Sequence, residues 1–348
     1  MVFMAYFLPT SIIMIGYFVI TLFYTLKNVK QKKKEENFIN EIAISTLFLF
    51  AGVSFPFLYQ FHSPELEQET INLLWFWSSV IFLLEMIIWA VILTYNSKIS
   101  KRSSELMKER DYNEYKKKVT TKWVDDLKGE LGRKFLHIFT GSVIFIFWTI
   151  GIILNGVGFL KIVNLDVYSF SYWWIITIGF AFVIMFQIAD LTRLNRAYML
   201  PNWARKWYLS MRPKELDTFI ASTPLVLAFV PFIFAPFPIF AAVALITTVA
   251  DGLACIIGKK YGTHPLRNNS KKTVEGFIAG AGSTYLIVVI IMIIYNSWIE
   301  IGFLEIHIMA LVASFTFMIV DIFIEQISDN IMNPILTGLA MWIVYLIM

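Results

Sequence analysis

Cysteine is almost absent from this 348-residue chain. Cys255 stands alone, so no disulfide can form within the chain and a disulfide-built fold is excluded. Charge is nearly as scarce: 16% of residues are charged, against 58% hydrophobic and 17% aromatic. Soluble domains run near 45–50% apolar and about 25% charged. No stretch can house a soluble Rossmann or P-loop domain, because the longest one without a spanning-length apolar run, 96–134, is too short and too charged. Internal repeats, Gly/Ser linkers and low-complexity segments are also missing. What remains is a membrane protein whose chemistry must sit on loops and helix ends at a bilayer surface.

A bilayer core takes about 20 apolar residues as helix. Ten runs qualify: 3–26, 38–61, 72–95, 135–160, 172–190, 217–235, 237–257, 276–298, 301–324 and 331–348. Pro231, Pro236 and Pro238 crowd the junction of the sixth and seventh. The first run does not read as a signal peptide, since no basic residue precedes it and no small-residue cleavage site follows. Lys27, Lys30, Lys32, Lys33 and Lys34 come after it instead, as for an anchor with its N-terminus outside.

The basic residues test this count. Stretches 27–36, 96–134, 191–216 and 258–275 hold 28 of the 29 Lys and Arg, Lys161 being the exception. With ten spans, all four lie on one side, which the positive-inside rule makes cytoplasmic. The opposite loops carry Glu65, Glu67, Glu69, Asp166, Glu300 and Glu305. The expected fold is therefore all-α: a polytopic membrane helical bundle of about ten transmembrane helices, with N- and C-termini outside. Its parts are an N-terminal three-helix membrane region (1–95), a charged cytoplasmic helical loop (96–129) and a larger membrane domain (130–348). The basic excess of 96–129 suits anionic lipid headgroups. Segment 191–216 interleaves Arg193, Arg196, Arg205 and Lys206 with Tyr198, Trp203, Trp207 and Tyr208. That mixture suits a helix lying in the interface, and no nucleic-acid partner is expected.

Ionisable groups near span ends need a reason. Four clusters emerge, all at the cytoplasmic boundary in this topology. Glu130, Arg133, Lys134 and His137 fall at i, i+3, i+4 and i+7, and Gly141 continues the stripe, giving one polar face about 10 Å long. Asp190 with Arg193 is an i,i+3 ion pair at the end of the fifth span. The third cluster runs Thr247-Thr-Val-Ala-Asp251-Gly-Leu-Ala-Cys-Ile-Ile-Gly258-Lys-Lys-Tyr-Gly262, then Ser270-Lys-Lys-Thr-Val-Glu-Gly276. Asp251 lies about 10 Å inside the boundary, where an isolated carboxylate costs roughly 2.5–3.5 kcal/mol, so a cation partner is expected. Lys259, Lys260, Lys271 and Lys272 supply positive charge. Thr273 is the expected N-cap of the eighth span, whose exposed N–H groups suit phosphate, while a nearby carboxylate suits Mg²⁺. In the fourth, Asp321, Glu325 and Asp329 recur every four residues, within roughly 80° on a continuous helix.

Several decoys fall away. Gly252…Gly258-Lys-Lys lacks Walker A spacing and the Ser/Thr after the lysine. Gly276-x-x-x-Gly280-x-Gly282 fits a close-packed helix interface better than a nucleotide loop. His264, beside Pro265, has no partner ligand nearby in the sequence and is not taken as a metal ligand.

These motifs in this order resemble the CTP-dependent polyprenol kinase family, which includes dolichol, phytol and farnesol kinases and CTP-dependent diacylglycerol kinases. The resemblance is carried by Glu130-x-x-Arg133-Lys134-x-x-His137-x-x-x-Gly141, Asp251-Gly-Leu-Ala-x-x-x-Gly258-Lys-Lys-Tyr-Gly262, Lys272-Thr-Val-Glu275-Gly276 and Asp329-Asn330-x-x-x-Pro334. It covers about 130–334; the first 95 residues take no part. Asp-Gly and Lys-Thr stand where Asp-Ala and Lys-Ser are expected, keeping the small residue and the hydroxyl.

The resemblance implies transfer of the γ-phosphoryl of CTP to a long-chain isoprenoid alcohol, with Mg²⁺, at the cytoplasmic face of the plasma membrane or endoplasmic reticulum. The product would be a polyprenyl or dolichyl phosphate. Asp251, with Asp329 as second candidate, would hold the metal. Lys271, Lys272, Thr273, Gly276 and the following helix N-terminus would cradle the phosphates, with Glu275 orienting a lysine or the metal. Arg133 and Lys134 would stabilise the transferring group, His137 or Glu130 would accept the alcohol's proton, and Asn330 would bond nucleotide or metal water. A phosphatidate cytidylyltransferase-like activity and a transporter are the competing expectations. The clustering of polar groups at one boundary, not the midplane, disfavours transport.

Overall fold

The computed structural model describes residues 8–29, 37–58, 67–122, 127–208, 211, 213–219, 222–266, 272–323 and 327–348. Helices dominate: α1 Pro9–Lys27, α2 Phe38–Ser54, α3 Glu67–Ser100, α4 Ser104–Glu109, α5 Tyr112–Lys122, α6 Leu127–Gly156, α7 Val167–Arg196 and α8 Asn202–Tyr208. The second half comprises α9 Ser222–Ala228, α10 Phe237–Leu245, α11 Asp251–Tyr261, α12 Val274–Ile294, α13 Phe303–Phe323 and α14 Asp329–Ile347. Among the described residues, nine helical segments are long and apolar enough to cross a membrane, and strands are absent apart from one isolated bridge.

The sixth expected span, 217–235, is corrected. It is not a full-length helix but a short one, α9, followed by a 3-10 turn at Val230–Phe234. Pro231 explains the break: it lacks an amide N–H and its ring clashes with the preceding turn. Pro236 and Pro238 then open α10, where a missing N–H costs nothing.

Helix α10 is the axis of the packing. Phe237 through Ala244 are all buried, so this helix is apolar all round, as a helix enclosed by others must be. At one end of the bundle Phe237 stacks on Trp148, with ring centroids 3.6 Å apart, and Trp298 and Tyr168 close around them. That cluster gathers the α6–α7 turn, the start of α10 and the α12–α13 turn. The opposite ends of these helices carry Lys134, Asp251, Lys272 and Asp321. A π-helical turn, Ile246–Ala250, separates α10 from α11. Thr247 and Thr248 bond back to the carbonyls of Val243 and Ala244, both at 2.8 Å, and the wider turn re-aims the residue that follows it, Asp251.

The 96–129 stretch holds α4 and α5, and α5 docks on the end of α7 and on the 208–217 region that follows it. Tyr115 donates to the carbonyl of Tyr208 at 2.5 Å, and Lys116 pairs with Asp217 at 2.5 Å. The fourth cluster is also corrected: Asp321 ends α13, whereas Asp329 starts α14, so the carboxylates do not line one helix. Ser328 breaks the run by capping α14, its hydroxyl accepting from the Asn330 amide at 3.3 Å. Glu325 lies outside the described residues.

Candidate active site at the converging helix ends

The site begins with a charge pair that neither helix would tolerate alone. Lys134, on α6, donates to the carboxylate of Asp251, at the start of α11. Their side chains are 12% and 15% exposed, so each largely desolvated charge has its counter-ion. Burial alone would push the Lys134 ammonium pKa down. The carboxylates of Asp251 and Asp329 outweigh it and hold that pKa above its ordinary value. Asp329 and Asp321 also lie within electrostatic reach of Asp251. The polar stripe of α6 is seated firmly: His137 is buried, and Gly141 lies so close to Thr248 that a Cβ there would meet its hydroxyl at 3.2 Å.

A second pair closes the other side. Lys272 donates to the Asp321 carboxylate at 2.7 Å and to the Asp321 main-chain carbonyl at 2.6 Å. That carbonyl belongs to the last turn of α13, where intrahelical donors run out, and a cation suits the negative helix end. Sequence reasoning placed Asp321 near the site but gave it no role; its spacing to Asp329 signalled proximity and not this partner.

The turn between α11 and α12 is a short hairpin. The Leu266 amide donates to the Lys272 carbonyl at 2.8 Å and the Val274 amide to the His264 carbonyl at 2.9 Å. Thr273 caps α12 as expected, its hydroxyl accepting from the Gly276 amide at 3.3 Å. Glycines let the two helices approach: a Cβ on Gly276 would lie 2.6 Å from the Ala254 carbonyl oxygen, and one on Gly280 would lie 2.9 Å from the Ala254 Cβ.

Glu275 has partners that its expected role did not include. It accepts from the Thr263 hydroxyl at 2.8 Å and the Thr263 amide at 3.1 Å, and pairs with His264 Nδ1 at 2.7 Å. It therefore clamps the segment that follows α11, and its partners among the described residues are Thr263 and His264. His264, set aside in the sequence, is its partner. Asn330 and Asn333 are buried on the first turns of α14, beside Asp329. The side chains of Glu130 and Arg133, and all of Lys271, lie outside the described residues.

Asp190 and Arg193 form the expected i,i+3 pair at 3.1 Å, but with different company. Arg193 also donates to the carbonyls of Leu216 and Thr218 and stands over the Tyr208 ring at 5.2 Å. This fully buried node joins α7 to the α8 region and α5, and its described contacts include none of the groups around Asp251.

The chemistry on offer is two ammonium groups, three carboxylates and a capped helix N-terminus at one end of the bundle. As a Mg²⁺ site the donor set is hard oxygen from Asp251 and Asp329. Among the described residues no three His, Cys, Asp or Glu converge as a cage. Mg²⁺ fits such a site, since it commonly takes one or two carboxylates and completes its shell with water and substrate phosphate. No protein-family model, curated protein or solved structure matches the chain.

Proposed function

We propose that the protein is a CTP-dependent lipid kinase, transferring the γ-phosphoryl of CTP to a polyprenol- or dolichol-type alcohol. The supporting observation is the meeting of Lys134–Asp251 with Lys272–Asp321 beside Asp329, which joins motifs from separate helices at one depth. Phosphoryl transfer asks mainly for positioning and charge stabilisation, and these are the groups for it. Lys272 and the α12 N-terminus would hold phosphate oxygens. Lys134 would stabilise charge on the group in flight, and His137, one turn deeper, would take the alcohol's proton. Asp251 and Asp329 would hold Mg²⁺, which when bound supplies charge neutralisation between the phosphates.

The same reading has the chain cross ten times with both ends outside, its basic loops against anionic headgroups. Support comes from α7 and α10: the inner end of α7 and the aromatic-clustered start of α10 lie at opposite ends of the bundle. The chain between them would then cross through Ser222–Phe234, a shorter apolar helix. A cytidylyltransferase is the second reading, favoured by the third carboxylate, Asp321, acting on Asp251.

The test is product analysis. Purified protein with labelled CTP and a panel of polyprenol, dolichol, phytol and diacylglycerol should release CDP and a phosphorylated alcohol. Pyrophosphate release with a phosphorylated lipid would establish the transferase instead, and no nucleotide turnover with any lipid would end both readings.

A further inference from the structure

A half-open apolar pocket with about 60 Å³ of free space lies between the N-terminal hairpin and the α6, α7 and α9–α10 walls. Met14 and Phe55 come from the hairpin side, Ile144 from α6, and Gly179 and Val183 from α7. Its lining is hydrocarbon with one polar side chain, Thr140, which stands one turn from His137 on α6. An apolar wall with few polar groups is the lining that small-molecule sites offer.

A second observation lies on α7 one helical turn beyond Val183, outside the cavity's own lining. Gln187 is fully buried, and neither its amide oxygen nor its amide nitrogen has a hydrogen-bond partner. A buried amide left unsatisfied is costly, so such groups call for an explanation. Gln187 follows Gly179 and Val183 at i+8 and i+4, on the same face of α7. Helices α6 and α7 pack as an antiparallel pair, α6 ending at Gly156 and α7 starting at Val167. His137 stands nineteen residues before Gly156, and Gln187 twenty residues after Val167. Both side chains are therefore at the same depth, about 30 Å along their helices.

We propose that this cavity receives the first part of the apolar tail of a single-chain lipid alcohol, with its hydroxyl held at the level of Gln187 and His137. The proposal rests on the kinase reading and names how its acceptor is bound. A hydroxyl both donates and accepts, which matches the two idle ends of one amide. Diacylglycerol fits worse, because its ester carbonyls would enter a wall where Thr140 is the one side-chain donor.

The test uses the full chain in nanodiscs and a polyprenol carrying a photoreactive diazirine near its hydroxyl end. Crosslinks should concentrate on 140–144 and 179–183, compete with unlabelled polyprenol, and resist the parent hydrocarbon and phosphatidylcholine. Gly179→Leu should cut them at least about tenfold; its first added carbon meets only Val226, at 3.6 Å, so folding should survive. Gln187→Leu should raise the acceptor KM about tenfold, leave the CTP KM unchanged and raise Tm, a combination that a merely structural amide would not give. Crosslinks spread over lipid-facing helices, equal competition by phosphatidylcholine, or unaltered acceptor KM in Gln187→Leu would overturn the proposal. Specific crosslinking without CDP formation by the wild type would uphold the cavity and remove the kinase reading.

Discussion

The amide of Ser328 donates to the side-chain oxygen of Asn40 at 2.9 Å, although 288 positions separate them. Asn40 opens α2 of the N-terminal hairpin, and Ser328 caps α14 one residue before Asp329. The hairpin is itself held by a buried polar seam, in which Thr25 donates to the fully buried Glu41 at 3.0 Å and Ser45 to Thr21 at 3.2 Å. The region without family-like motifs thus braces a carboxylate of the candidate site.

Asn40→Ala should therefore reach activity from outside the motifs. Loss of one hydrogen bond that leaves an amide unsatisfied costs about 1–3 kcal/mol, so Tm should fall by a few degrees. CTP turnover should fall several-fold more than that loss of folded protein explains, because Asp329 follows the loosened cap. Thermal melts and turnover on the same detergent-purified samples check this; unchanged turnover per folded molecule would detach the hairpin from the site.

The Lys134–Asp251 pair lends itself to a double-mutant cycle. Lys134→Met and Asp251→Asn should each reduce turnover by at least about 100-fold, the scale of losing one electrostatic contact to a transition state. Lys134→Met should also destabilise, because it strands a buried carboxylate, a change worth about 3–5 kcal/mol. The double variant should be as inactive as either single one yet more stable than Lys134→Met. Equal stability losses that simply add would mean that the two charges do not depend on each other.

How far the sequence carries is clear from particular residues. The need of Asp251 for a cation was legible from its depth, and the Thr273 cap from its place before a polar-then-apolar run. The identity of the cation was not, because Lys134 lies 117 residues away and only packing of α6 on the π-helical turn selects it. The four-residue spacing of Asp321, Glu325 and Asp329 misled, since periodicity cannot register a helix break made by a capping serine. Likewise Pro231 predicted a weak span but not that Val230–Phe234 would tighten into a 3-10 turn. Glu275 turned to Thr263 and His264 because a bridge across the hairpin brings back a strand that spacing alone leaves apart.

That clamp yields a graded prediction. Glu275→Gln keeps an acceptor for the Thr263 hydroxyl but loses its charge toward His264, so the hairpin carrying Lys272 should loosen without unfolding. The KM for CTP should rise about tenfold with kcat changed less, and His264→Ala should move KM in the same direction by less. Thr273→Ala, which removes the N-cap, should cost about 1 kcal/mol and raise the same KM. An unchanged CTP KM in all three variants would separate the hairpin from nucleotide binding.

The Asp190–Arg193 node should behave differently, as architecture. Asp190→Ala would leave a guanidinium buried without its carboxylate, held by main-chain carbonyls and aromatic rings alone. About 3–5 kcal/mol of stability should be lost, as for Lys134→Met, and the yield of monodisperse protein should drop accordingly. The fraction that folds should turn over CTP at close to the wild-type rate, because no described contact links Arg193 to Asp251. Asp190→Asn, which keeps an acceptor for the Arg193 Nε–H, should recover part of the yield. Full stability with abolished turnover in Asp190→Ala would instead place this buried pair in the reaction and redraw the site around α7.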